Sequence, residues 1–146
     1  MGSWRDSASK TTQKELDGLF DFQLKAAVSL LQKNKEFYPI AASAAGKDVS
    51  PVAFYDGNEY PESLAVIDGL KKALKAQKHT INAAAIAFDV LVSQNGKKSN
   101  AVCVDLEHKD GICFRLVTPY EFGGLFKKRV TLGKTQMQKC EKFIWR

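Results

Sequence analysis

The chain reads as an α+β protein: two helices packed on one face of a mostly antiparallel sheet of five or six strands, in the order helix-strand-strand-helix-strand-strand-strand. Three observations lead there. Two stretches, 12–35 and the one that Pro61 opens, repeat apolar residues every three or four positions, the period of an amphipathic helix. The run from Ala83 to Tyr120 holds three strand-like segments separated by Asn-Gly and Lys-Asp-Gly turns. The strand pairs are joined by turns too short for a crossover, which permits antiparallel neighbours only.

Taken in order, residues 1–11 are small and polar without periodicity, the pattern of a disordered tail or an expression scar. Residues 12–146 then form a single α+β domain. Thr12-Gln13-Lys14-Glu15 has the Thr-x-x-Glu form of a capping box, in which each side chain satisfies a backbone donor at a helix start. The helix it opens places Leu16, Leu19, Phe20, Leu24, Ala27, Val28 and Leu31 on one stripe and ends near Lys35, with Phe22 off the stripe, either packed under the N-terminal tail or a contact for a partner or second copy. Residues 36–44 and 49–55 read as strands. Pro51 marks the second as an edge, because proline cannot donate to a ladder. Pro61 opens the second helix, whose apolar face is Val66, Ile67, Leu70, Ala73 and Leu74. Lys71, Lys72, Lys75 and Lys78 crowd its C-terminal end, where the helix dipole favours cations. Gly18 and Gly69, with Ala83, Ala85 and Ala87, suggest close approach of helix to sheet.

The register of the last hairpin follows from side-chain parity. A three-residue loop, Lys109-Asp110-Gly111 with a left-handed glycine, sets Leu106 opposite Phe114, Val104 opposite Leu116 and Val102 opposite Thr118. It also sets Asp105 across from Arg115, a pair contributing about 0.2–1 kcal/mol. Glu107 and His108, adjacent in the same strand, then point to opposite faces and do not form one carboxylate-histidine site. Lys127 to Leu132 reads as a short basic strand, and Lys142-Phe143-Ile144-Trp145 as an apolar segment that closes the core.

At 146 residues, 45% hydrophobic and 26% charged, the composition is that of an ordinary globular domain and excludes a largely disordered chain. No apolar run reaches the length of a membrane span and the N-terminus lacks a signal peptide's apolar core, so no membrane is expected and the cytoplasm is the default address. Cys103, Cys113 and Cys140 are odd in number, without C-x-x-C spacing, and read as free thiols; Cys103 and Cys113 are out of disulfide register. No metal and no cofactor is expected. No P-loop, Gly-x-Ser-x-Gly, His-Glu-x-x-His or dinucleotide fingerprint is present, and the two histidines, His79 and His108, stand apart from any nucleophile or base constellation. The reading leans away from an enzyme.

The net charge of +6 is localised. Residues 1–110 carry fourteen Lys or Arg and fourteen Asp or Glu, whereas residues 111–146 carry eight basic residues against Glu121 and Glu141. Lys127, Lys128, Arg129 and Lys134 are the candidate contacts for an anion or partner, and Tyr120, Phe122 and Phe126 the candidate contacts from the neighbouring aromatic loop. A solvated edge is the plain alternative for this segment.

The element order resembles that of the roadblock and profilin-like folds, commonly modules that bind proteins or small ligands. Phe37-Tyr38-Pro39-Ile40-Ala41 and Leu106-Glu107-His108-Lys109-Asp110-Gly111 resemble pieces of small uncharacterised bacterial proteins of similar layout, which implies a bacterial cytoplasmic protein and no particular activity. The leading expectation is a non-catalytic protein-binding or regulatory module, immunity- or chaperone-like. It would meet an acidic protein partner, or a second copy as a homodimer, through a sheet edge (the second strand or residues 127–132) or the basic C-terminal surface. The alternative is a nucleic-acid or anionic-ligand binding protein, with the basic side chains on phosphates and Phe122 or Phe126 stacked on bases.

Overall fold

A computed structural model describes residues 4–52 and 62–146. The elements are α1 (Lys10–Asn34), β1 (Ile40–Ala45), β2 (Asp48–Val52), α2 (Ser63–Ala76), β3 (Ala83–Gln94), β4 (Lys97–His108), β5 (Cys113–Gly123), β6 (Arg129–Leu132) and β7 (Gln136–Lys139), with single 3-10 turns at Trp4–Ser7 and Leu125–Lys127. The α+β class and the predicted element order hold. All strand pairs are antiparallel and the sheet runs β2-β1-β3-β4-β5-β6, with β7 also paired to β5.

Among the described residues the sheet has seven strands rather than five or six, because two short strands share one edge: β6 pairs with residues 120–123 of β5 and β7 with residues 114–117. β7, Gln-Met-Gln-Lys, is exposed along its whole length and carries no apolar alternation, so nothing in its sequence announces a strand. β2 and β6 do lie at the two ends of the sheet.

The central hairpins follow local turn chemistry. β3 and β4 meet at Asn95-Gly96, both residues at positive φ, as a two-residue turn matched to strand twist requires. β4 and β5 meet through Lys109-Asp110-Gly111, with Gly111 at φ 98° and the expected register: Leu106 opposite Phe114, Val104 opposite Leu116, Val102 opposite Thr118. The Arg115 guanidinium grips Asp105 in a two-pronged ion pair, at 2.6 and 2.9 Å.

The two helices do not share a face. Ala83, Ala85 and Ala87 of β3 and Val102, Val104 and Leu106 of β4 pack under α1 with Leu16, Leu19, Ala27 and Leu31. Ala84 and Ile86, with Ala41, pack instead against Val66, Leu70 and Leu74 of α2 on the other side, where Phe143 and Ile144 complete the core. The unbroken apolar run Ala83 to Phe88 is that of a strand buried on both faces rather than one. Beyond α2 this second face continues as Ala101, Cys103 and Val117, flanked by half-buried Phe88, Val90 and Val92.

The N-terminus departs most from expectation. Trp4 stacks on Phe114 with ring centroids 4.9 Å apart, and Arg5 makes a two-pronged pair with Asp17, so this mostly exposed segment is tethered to β5 and α1. α1 starts at Lys10 with Ser9 as its cap, the hydroxyl oxygen accepting from the Thr12 amide at 3.1 Å. The Thr12-x-x-Glu15 pattern is therefore not a capping box. Both side chains face the core, and a polar residue, Gln23, joins the buried stripe by donating to the Ile40 and Ala85 carbonyls. Gly18 faces open space, so only buried Gly69 fits the close-approach reading. β1 begins at Ile40 rather than 36, β2 is described only to Val52, and the Pro61 helix start lies outside the described residues.

Candidate functional site

Between β5 and β6 the chain reverses through Gly123-Gly124-Leu125-Phe126-Lys127-Lys128. Gly124 takes φ 75°, a conformation that strains any L side chain, and a Cβ there would also press on the Arg129 Cβ at 3.2 Å. Phe126 and Lys127 follow with φ of 60° and 54°, left-handed conformations that cost about 1 kcal/mol or more per non-glycine residue. The clamp that holds them comes from α1. Lys35, the left-handed residue that ends that helix, donates from Nζ to the Phe126 and Lys127 carbonyls and lies 4.9 Å over the Phe122 ring. The result is a loop whose backbone is tied down while Leu125 (81%) and Phe126 (76%) stand in solvent beside exposed Lys127, Lys128 and Arg129.

Of the seven residues singled out from sequence, this loop unites four: Phe126, Lys127, Lys128 and Arg129. Lys134 is exposed but lies beyond the far end of β6. Tyr120 is not a surface contact. It is 3% exposed and its hydroxyl donates to Asp89 at 2.8 Å; burial, then this bond to Asp89, pushes the phenol pKa up. Burial also raises the Asp89 carboxyl, against the pull of the Tyr120 hydroxyl. Phe122 is half-buried, edge-on to Tyr120 and covered by Lys35, so it supports the loop rather than offering a face for stacking. Alternation along β5 carried this signal: Tyr120 and Phe122 share the face of Val102 and Val104.

A second charged surface has no signature in the sequence. Lys71, Lys72 and Lys75 of α2 line a cleft of about 310 Å³ together with Lys142 and Arg146 from the C-terminal segment. Asp68 and Glu141 only partly offset these five cations, and the Lys71 ammonium sits 5.8 Å over the Phe143 ring in the cleft wall. The helix-dipole account of the α2 lysines explains their spacing but not the arrival of two further cations nearly seventy residues on.

Two buried acids complete the polar inventory, and neither opens onto a cavity. Glu15 accepts from the Gly46 amide (2.8 Å), Asn82 Nδ2 (2.7 Å) and His108 Nε2 (2.9 Å). The Asp110 amide donates to His108 Nδ1, so the proton of the neutral ring is on Nε2 and points at Glu15. Asp110 in turn accepts from the Thr12 hydroxyl at 2.7 Å. On the opposite face, Glu107 accepts three backbone amides, those of Phe143, Ile144 and Trp145, at 2.6–2.9 Å. Glu107 and His108 thus diverge as parity requires, and both are occupied in holding the fold. His79 is exposed. Among the described residues no group of three or more His, Cys, Asp or Glu could hold a metal ion, and no helix is long and apolar enough to cross a membrane.

Set against known protein families, curated proteins and solved structures, the chain has no significant match.

Proposed function

We propose that this protein is a non-catalytic binding module whose working surface is the loop 124–129 with the adjoining edge strand β6, and whose partner is a protein offering an apolar pocket with an acidic rim. The observation that carries this reading is the pairing of a clamped backbone with two unsupported apolar side chains. Leu125 and Phe126 contribute nothing to the core, yet the chain holds them outward through two left-handed residues and a lysine clamp. A rigid apolar anchor loses little conformational entropy on binding, and flanking cations steer an acidic partner. The free side of β6 adds unpaired backbone groups, the means by which a second strand, from a partner or another copy of the chain, joins a sheet.

The test is affinity capture from the native cell with three baits: the unaltered chain, Phe126→Ser, and the triple variant Lys127→Glu/Lys128→Glu/Arg129→Glu. A partner retained by the first bait is expected to bind the Phe126 variant at least about tenfold more weakly, the loss typical of an anchor side chain. The charge-reversed bait is expected to lose it most at low salt. A partner held equally by all three baits rules the loop out. Light scattering separates self-association from partner binding; a strict monomer at high concentration removes the homodimer.

The cleft between α2 and the C-terminal segment favours a second reading, binding of an anionic ligand or nucleic acid, with Lys71, Lys72, Lys75, Lys142 and Arg146 on phosphates. Fluorescence polarisation with single-stranded and duplex oligonucleotides at two salt concentrations decides it. Binding that weakens steeply with salt and falls in Lys72→Glu/Lys142→Glu supports it, and no binding at low salt removes it.

A further inference from the structure

We propose that Cys113 and Cys140 are a redox-responsive thiol pair that closes into a cross-strand disulfide and fastens the C-terminal segment to the sheet. The pairing of β5 with β7 sets Val117 opposite Gln136, Leu116 opposite Met137, Arg115 opposite Gln138 and Phe114 opposite Lys139. One step further in the same register, Cys113 faces Cys140. Directly opposed residues of an antiparallel pair have Cα atoms about 4.5–5.5 Å apart, within the range of about 4.4–6.8 Å that a disulfide spans. Parity agrees: Cys113 lies two residues from Arg115, and Cys140 two residues from Gln138, its cross-strand partner, so both thiols rise on one face.

All three thiols are free, and their surroundings separate this pair from the third. Cys103 is buried, and burial followed by the Asp105 charge pushes its thiol up to about 12. Cys113 and Cys140 are both partly open to solvent, and Cys140 Sγ donates to the Glu141 carbonyl at 3.4 Å. The Cys113 thiol beside it holds the Cys140 thiol below its ordinary value against burial and the Asp105 charge, while the neighbouring Cys140 and burial push Cys113 up. Two half-exposed thiols opposed across a strand pair are the arrangement in which one cysteine attacks an oxidant and the other resolves it.

The step balances with a hydroperoxide as oxidant. The Cys140 thiolate attacks the terminal peroxide oxygen, the O–O bond breaks, and the leaving oxygen takes a proton and departs as water when the oxidant is hydrogen peroxide. Cys140 becomes a sulfenic acid. The Cys113 thiol then attacks that sulfur, the S–O bond breaks and a second water leaves, so that two thiols are oxidised by two electrons and one peroxide is reduced. The location gives the bond a consequence. Cys113 lies across from Glu107 in the β4–β5 ladder, and Glu107 is the acid that holds the Phe143, Ile144 and Trp145 amides. In the reduced protein the last residues are held by those bonds and by the burial of Phe143 and Ile144; the disulfide adds a covalent tie three residues before Phe143. Lys142 and Arg146, one wall of the basic cleft, are fixed with it.

The experiment treats the full chain with hydrogen peroxide, blocks remaining thiols with N-ethylmaleimide, and maps peptides without reduction. The expected product, labelled in denaturant, is a monomer that has lost two hydrogen atoms and gained one maleimide, on Cys103, with one linked peptide pair containing Cys113 and Cys140. Its Tm is expected to rise by about 5–10 °C, reversibly with dithiothreitol, because the link closes a loop of some thirty residues. Cys113→Ser is expected to leave a sulfenic acid on Cys140 that dimedone traps, with no rise in Tm. Linkage through Cys103, crosslinking only between chains, or full labelling of all three thiols after peroxide each overturns the proposal. None of these outcomes depends on which surface meets a partner.

Discussion

Glu107 and His108 occupy adjacent positions of β4, yet they anchor the protein in different ways on its two faces. On the α1 side, His108 meets Glu15, whose other partners are the Gly46 amide and Asn82. Every member of that network sits in, or immediately beside, a strand or helix with partners on both sides in sequence. On the α2 side, Glu107 gathers the same number of donors, but all three come from the last residues of the chain. The two acids are equally satisfied and comparably buried. They differ in what their partners can do when the acid is removed: a chain end can peel away and find water, whereas the His108 ring, buried beneath α1, cannot. Equal hydrogen-bond counts therefore do not mean equal contributions to stability.

Removing the acid from each side tests this directly. Glu15→Ala is expected to cost about 3–5 kcal/mol, since it leaves the buried His108 donor without a partner and takes one from half-buried Asn82; urea unfolding should show a lower midpoint with an unchanged slope. Glu107→Ala is expected to cost less, about 2–3 kcal/mol, and to act locally. Hydrogen exchange should rise sharply at Phe143, Ile144 and Trp145 while the amides of β3 and β4 stay protected. If Glu107→Ala destabilises the chain as much as Glu15→Ala, the terminal segment is integral to the core and the contrast fails.

The smallest expected effect is one of pH. Burial pushes the Glu15 carboxyl up, but the bonds from His108, Asn82 and the Gly46 amide outweigh it and hold the pKa below the ordinary glutamate value. The unfolded chain, with Glu15 near about 4.3, therefore takes up the proton first as the solution is acidified. The stabilisation is complete above that value and is lost as pH falls through the lower, folded one. Glu15→Gln has no such proton to take up, so the gap in unfolding free energy between it and the unaltered protein should narrow from pH 5 towards pH 3. A constant gap across that window would mean that Glu15 contributes shape rather than charge.

How much of this was legible in the sequence divides along the same lines. The β3–β4–β5 meander was, down to the register of its last hairpin, because alternation and turn chemistry are local: Gly111 needs the left-handed region, and a slip of one residue would turn Val102, Val104 and Leu106 away from α1. The concentration of positive charge after Gly111 was also visible, and four of the seven residues chosen there do meet in one exposed loop. Tyr120 and Phe122 were misplaced because an aromatic residue near a glycine pair looks the same whether it faces solvent or core.

What only the tertiary structure decided is what joins distant residues. The capping-box pattern at Thr12 and Glu15 is a sound local signal, overridden because Glu15 meets His108, 93 residues away, and Thr12 meets Asp110, 98 residues away. The placement of α2 on the face opposite α1, the cleft that gathers Lys142 and Arg146 to the α2 lysines, and the facing of Cys113 and Cys140 belong to the same class. By itself the sequence determined the three strands of the meander, the register of its last hairpin and the sign of each region's charge, since periodicity and turn preference act over a few residues. Which buried acid meets which donor, and which cysteine meets which, rests on contacts with no local period, so the folded chain alone assigns them.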